Sequence, residues 1–263
     1  MKILFIGDIV GKPGRQAVEG ILEKVVSEYG IEFTIANGEN AAGGMGITPT
    51  IAIDFLDQGV DVLTSGNHIW AKKEIIPFLD EERRILRPAN YPAQVPGRGS
   101  GVYSLSNGKK LGVLNLEGRV FMKNLDCPFR VGEKEIEILR QQTNMIIVDF
   151  HAEATSEKMA MGWFLNGKVS AILGTHTHVQ TSDERILHEG TAYITDVGMT
   201  GPLASVIGIR KQVALERLLT QIPWKFDVAT EEIELQGVMV EINRETGKAN
   251  DIQRIRIPLI ERS

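Results

Sequence analysis

The chain carries 43% hydrophobic and 24% charged residues, which excludes a disordered, collagen-like or coiled-coil protein, and its 263 residues suit one large α/β domain or two small ones. A single cysteine, Cys127, excludes an intramolecular disulfide scaffold and favours a reducing compartment, so a cytoplasmic location is expected. Lys and Arg number 29 against 34 Asp and Glu, and the net charge of -5 supplies no general basic field for duplex nucleic acid.

In chain order, the opening MKILFIGDIV reads as a strand over residues 2–6, since Lys2 and Asp8 interrupt it too early for a signal-peptide core. No apolar run approaches the roughly 20 residues that span a bilayer, so no membrane partner is expected. A helix is predicted over 14–29, a strand over 33–36, a helix over 48–58 with Pro49 near its start, and a strand over 60–64. A helix over 74–79 follows. Residues 80–107 then form an irregular stretch, with three of the ten prolines in EERRILRPANYPAQVPGRGSG, that reads as a lid or as a long surface loop. Strands are predicted over 111–116, 145–150 and 169–173, with a helix over 132–143 between the first two. Residues 191–195, 233–243 and 252–259 read as antiparallel strands, the last two joined by RETGKAN. The alternation of strand and helix predicts a single α/β domain over 1–263.

Side chains able to bind a metal fall just after these strands, where open α/β sheets place their ligands. Asp8 follows the first strand, Glu39 and Asn40 the second, Asn67 and His68 the third, His151 the fifth, and His176 and His178 the sixth. Taken singly, Asp8 could cap a helix, Asn67 order a turn and His68 fill the interior. Eight N/O donors at successive strand ends are hard to explain that way. In extended backbone the H-x-H of GTHTH would aim both imidazoles in one direction. Without a thiolate, the set suits Mn, Fe or Zn better than Ca or Cu(I), and it exceeds one tetrahedral zinc. Two ions bridged by a carboxylate form the usual clamp for in-line phosphoryl displacement.

The ordered set Asp8, Glu39-Asn40, GNH at 66–68, His151 and GTHTH at 174–178 resembles the calcineurin-like metallophosphoesterases. It departs from their pattern at Val10, where that superfamily has His, and at Glu39, where it has a bridging Asp. The strings NGENAAGG, SGNHIW, RPANYP, DFHAEATSEK, GTHTHVQT and AYITDVGMTGP are similar to the bacterial YmdB-like family within it, over residues 1 to about 258. The resemblance implies a sandwich of two mixed β-sheets flanked by helices. It implies that Asp8, Glu39, Asn40 and His178 hold one metal and Glu39, Asn67, His151 and His176 a second. Asn40 would take the position vacated at Val10, Fe or Mn would be preferred with Zn possible, and His68 would stay unligated and serve the leaving group. The implied activity is a phosphodiesterase on 2',3'-cyclic nucleotides, acting on a small phosphoester with RNA as a further possible partner, in a homo-oligomer (dimer or tetramer).

Other residues have two readings each. Glu153 and Thr155 could support His151, while Ser156 could cap a helix. Asp196 could brace the histidine loop or order a turn, and Arg119 could meet a phosphate or lie on the surface. Two rival functions are a two-metal amide hydrolase, disfavoured because Asp8-Ile9-Val10 lacks H-x-H, and a regulator that binds a nucleotide or RNA end without needing turnover.

Overall fold

The computed structural model describes residues 1–105 and 107–260. Ser106, inside the expected lid, and residues 261–263, inside the expected domain, lie outside the described residues.

The chain opens with β1 (Lys2–Ile6), a short β2 (Asp8–Ile9) and α1 (Gly11–Tyr29), then β3 (Phe33–Asn37). Helix α2 (Pro49–Asp57) starts where expected, because Thr48 Oγ1 accepts from the Ile51 amide at 3.3 Å and proline occupies the first turn. There follow β4 (Val62–Thr64), α3 (Ile75–Glu81), β5 (Ser100–Ser104), β6 (Lys110–Glu117), α4 (Pro128–Arg140), β7 (Ile146–His151), α5 (Thr155–Phe164) and β8 (Ala171–Thr175). The C-terminal part holds β9 (Arg185–Ile186), β10 (Ala192–Ile194), β11 (Met199–Pro202), the hairpin of β12 (Ser205–Val206) and β13 (Ile209–Arg210), α6 (Lys211–Thr220), β14 (Ile233–Ile242) and β15 (Ala249–Pro258).

Two mixed sheets result. In the first, β1, β3 and β4 are parallel, β14 is antiparallel to β1, β15 and β11, and β2 pairs with β11. In the second, β6, β7, β8 and β10 are parallel, with β5 and β9 antiparallel at the edges. Ala17, Leu22 and Phe55 of α1 and α2 cover the first sheet, while Ile136, Leu139 and Met161 of α4 and α5 cover the second. This is the expected sandwich of mixed sheets flanked by helices.

Two expectations are corrected, and one helix is added. Residues 191–195 were expected to be antiparallel, yet β10 is parallel to β8, with Ala192 opposite Ala171. All three of its residues are buried, the environment of an inner parallel strand. Helix α5 takes Ala154 as N-cap with no side-chain cap bond, so Ser156 lies inside the first turn rather than capping it. Helix α6 has no counterpart among the predicted elements. Within 80–107, Leu86 is fully buried between the sheets, and its amide and that of Ala89 donate to the carbonyls of Leu63 and Asn115, both at 2.8 Å, which ties this turn-rich segment to the scaffold, while the Arg87 guanidinium bonds within the segment to the carbonyls of Pro88 (2.9 Å) and Pro96 (3.0 Å).

The alternation of side chains along each strand positions the site. Ile3 and Phe5 of β1, Phe33 and Ile35 of β3, Val113 of β6, Ile147 of β7 and Leu173 of β8 fill the layer between the sheets. One step further along, the same inward positions turn polar: Asn37, Asn115, Asp149 and His151, and Thr175, all buried. The carboxyl ends of both sheets thus enclose a polar pocket floored by apolar core.

Candidate metal centre

The eight side chains singled out in the sequence converge at this end of the sandwich. The first sheet brings Asp8 from the start of β2, Glu39 and Asn40 from the turn after β3, and Asn67 and His68 from the turn after β4. The second brings His151 as the last residue of β7, and His176 and His178 just beyond β8. Gly66 is required for the close approach, because a Cβ there would overlap the His151 ring and Glu39 Oε2.

A chain of hydrogen bonds across the two sheets orients His151. Asn37 Nδ2 donates to Asp149 Oδ2 at 3.0 Å, and Thr175 Oγ1 donates to Asp149 Oδ1 at 2.8 Å. The threonine proton is thereby used, so its oxygen accepts the Nδ1–H of His151 at 2.9 Å. Nε2 of His151 is left facing Asn67 Oδ1 at 3.0 Å, Glu39 Oε2 at 3.3 Å and His176 Nδ1 at 3.0 Å. Four lone-pair atoms meeting at one point need a cation or a proton among them. In the metal-free chain a proton serves: burial would lower His151, but Glu39 and Asp8 raise it to about 9. Burial likewise opposes ionisation of Glu39, yet His151 and His68 hold it well below the usual carboxylate range. His176 is pushed down to about 3 by burial and by the charge of His151.

The donors fit a metal. Ligand atoms of Glu39, His151 and His176 lie within 4.8 Å of one another, so this cluster could hold a metal ion. Asp8 supplies an independent sign. Its Oδ2 accepts from the His176 amide at 3.1 Å, but Oδ1 is buried without a hydrogen-bond partner, 3.9 Å from both His151 Nδ1 and His178 Nε2. Burial pushes this carboxyl up, as expected for an anion lacking its counter-charge.

Asn40 is oriented differently from expectation. Its Nδ2 donates to Glu39 Oε1 at 3.0 Å and lies 3.1 Å from His178 Nε2, while Oδ1 lies 2.8 Å from His68 Nδ1. The oxygen would reach a metal beside Asp8 only after a 180° amide flip. The alternation argument for GTHTH also fails, since His176 (φ 98°) and His178 (φ 62°) occupy left-handed backbone beyond the strand. That turn is braced by groups the sequence left undecided or did not flag. Asp196 accepts from the Thr177 amide (3.1 Å) and hydroxyl (2.7 Å) and pairs with the buried Lys158 at 2.8 Å, so it supports the histidine loop. The Ile207 carbonyl accepts from His178 Nδ1 at 2.9 Å. Glu153 pairs with His176 Nε2 at 3.0 Å rather than with His151. The inward parity of 147, 149 and 151 could have pointed to Asp149; nothing local pointed to Lys158 or Ile207.

A cavity of about 360 Å³ opens beside these donors, lined by His68, Glu153 and Thr177 and by an apolar set that includes Val10, Ile207 and Phe226. Among the described residues no helix is long and apolar enough to cross a membrane.

Known proteins share this whole chain. A 2',3'-cyclic-nucleotide 2'-phosphodiesterase of Bacillus subtilis (strain 168) is 49% identical over 257 residues, covering 98% of this chain and 97% of the relative. A solved structure of a phosphatase from Mycoplasma pneumoniae superposes with a TM-score of 0.91 at 34% identity, over 98% of this chain and 93% of that one. A hypothetical protein from Thermus thermophilus superposes with a TM-score of 0.92 at 39% identity, over 99% and 100% of the two chains. The family model described as YmdB-like protein matches residues 4–255, and with relatives of this closeness along its full length the chain belongs to the YmdB-like protein family.

Proposed function

We propose that this protein is a metal-dependent phosphodiesterase that opens the 2' ester of 2',3'-cyclic nucleotides to give 3'-nucleotides. The observation that carries the chemistry is the meeting of Glu39, His151 and His176 within 4.8 Å beside the unpartnered oxygen of Asp8. The substrate comes from the cyclic-nucleotide phosphodiesterase that shares 49% of its residues with this chain.

Asp8, Glu39, Asn40 and His178 would hold one transition ion and Glu39, Asn67, His151 and His176 a second. Iron or manganese suits this oxygen-rich set, with zinc possible. Because only Asp8 and Glu39 among the donors are anionic, two divalent ions would leave the site doubly positive, drawing in the phosphodiester and acidifying a water. Asp149 and Thr175 keep the His151 proton on Nδ1, and the Ile207 carbonyl does the same for His178, so both Nε2 lone pairs face inward. The Asn40 flip would turn its amide nitrogen toward His68 Nδ1. Nδ1 also lies 3.2 Å from Glu39 Oε1, so the ring is held from that side, and His68, which lines the cavity, would serve the departing ribose oxygen. For the expected homo-oligomer, the supporting feature is the exposed Leu215, Leu218 and Leu219 of α6.

The test is anaerobic purification with metal analysis, followed by a panel of 2',3'-cyclic nucleotides, phosphomonoesters and RNA. Metal-dependent release of 3'-nucleotides is expected. Turnover that survives complete metal removal, or confined to monoesters, would overturn the proposal.

A further inference from the structure

We infer that the hairpin tip at Ile207 and the ring of Phe226 form the seat of the substrate's nucleobase, gripping the base by its face without reading its edge. This rests on the cyclic-nucleotide reading above and adds to it which residues hold the base and how selective they are.

The backbone at the hairpin tip is strained. Ile207 and Gly208 join β12 to β13 with φ of 49° and 95°, the left-handed pair that a tight two-residue hairpin requires. Glycine suits such a turn, but a β-branched residue is an outlier in it. The Ile207 carbonyl is used, since it orients His178, yet any residue would provide that carbonyl. The side chain is separate: it is 50% exposed and lines the cavity beside the donors. A strained turn that keeps an exposed isoleucine next to a reactive centre calls for a ligand that covers it.

This side chain belongs to a larger apolar surface. Residues 227–229 run alongside the hairpin, with the Arg210 amide donating to the Asp227 carbonyl at 2.9 Å and the Ala229 amide to the Gly208 carbonyl at 3.0 Å. Ile209 of the hairpin bridges to Val228, with Ile207 at the hairpin tip and Phe226 two residues before Val228. All four line the cavity, joined by Val10 and Met45. The Arg217 guanidinium lies 4.0 Å over one face of the Phe226 ring and holds it in place from α6, while the ring remains 45% exposed.

Among its described residues, the apolar wall lacks polar side chains of its own. The polar side chains around the cavity are Glu39, Asn40, His68, Glu153, Thr177 and the two loop histidines, all belonging to the donor cluster or its supporting loops. Among the described lining residues of the hairpin and of 226–228, none presents a side-chain donor or acceptor to a base edge. A phosphate at the donors would leave the flat organic part of a nucleotide against Phe226 and Ile207. Stacking there is tolerant of base identity.

The test uses steady-state kinetics of the metal-loaded full-length protein on the 2',3'-cyclic phosphates of adenosine, guanosine, cytidine and uridine. Glycerol 1,2-cyclic phosphate, with the same five-membered diester and no base, is the comparison substrate. The four nucleotides should have kcat/KM values within about tenfold of one another, purines ahead. Phe226→Ala and Ile207→Gly should each raise KM for all four by about tenfold relative to the glycerol diester, with metal content retained. Ile207→Gly removes the side chain while easing the turn, so its thermal midpoint should not fall. Equal KM for base-bearing and base-free diesters in the wild type would overturn the seat while leaving the diesterase reading intact. Variants that shift both substrate classes together, or a preference for one base of more than about a hundredfold, would overturn it equally. If the wild type turns over none of these diesters, the function proposal fails and the seat falls with it.

Discussion

Replacing Lys158 by methionine should loosen the loop that carries His176 and His178 without touching any proposed metal donor. The Lys158 ammonium lies 2.8 Å from Asp196 Oδ2, and the two side chains are 1% and 0% exposed. Removing one member of a buried pair strands the other charge and costs about 3–5 kcal/mol. Asp196 keeps three further donors, the Thr177 amide and hydroxyl and the Gly198 amide, so the lower end, about 3 kcal/mol, is expected. With a urea slope near 3 kcal/mol per molar, the midpoint of the metal-free protein should fall by about 1 M. The same aspartate holds Thr177 between two residues in left-handed backbone, so relaxation there should also weaken metal binding by roughly 10- to 100-fold in a metal titration. Adding Asp196→Asn removes the stranded charge and should recover part of the lost stability, though not the metal affinity. A Lys158→Met midpoint within about 0.3 M of wild type would refute the argument from the buried charge.

Glu39→Gln should lose turnover and retain less metal, because a neutral amide cannot balance two cations; near-normal metal content and rate, by elemental analysis and assay, would exclude a bridging role. His68→Ala should keep its metal but slow a 2',3'-cyclic nucleotide by roughly 10² to 10⁴ and a p-nitrophenyl diester far less, since p-nitrophenolate leaves without a proton. Equal slowing of the two would show that His68 orients phosphate or water instead. Burial raises Asp149 to about 6. In the metal-free protein its contribution is therefore fully present below pH 4 and is lost as pH rises toward 6, the unfolded carboxyl ionising first, by about 3 kcal/mol. Comparing urea midpoints at pH 4 and pH 7 for wild type and Asp149→Asn checks this, the variant showing the smaller fall.

The sequence by itself determined the strands and what stands at their ends. The run Ile146–His151 shows why: its apolar residues mark a buried strand, and a period of two puts Asp149 and His151 on the face of Ile147. Such patterns specify faces, and they made an α/β domain with eight donors at its strand ends legible, while the two-sheet sandwich was legible only through the resemblance of those motifs to a known family. They do not specify neighbours. That β10 runs parallel to β8, that Asn37 reaches Asp149 across 112 residues, and that Lys158 neutralises Asp196 depend on which surfaces meet when the two sheets pack. Only that packing bends the GTHTH histidines into left-handed backbone, against the preference of an isolated chain, because Asp196 and Ile207 arrive from elsewhere to hold them. The apolar wall of the cavity is likewise tertiary: Val10, Met45, Ile207 and Phe226 share no local motif, and they form one surface because the C-terminal hairpin and the segment beside it fold back over the ends of the first strands.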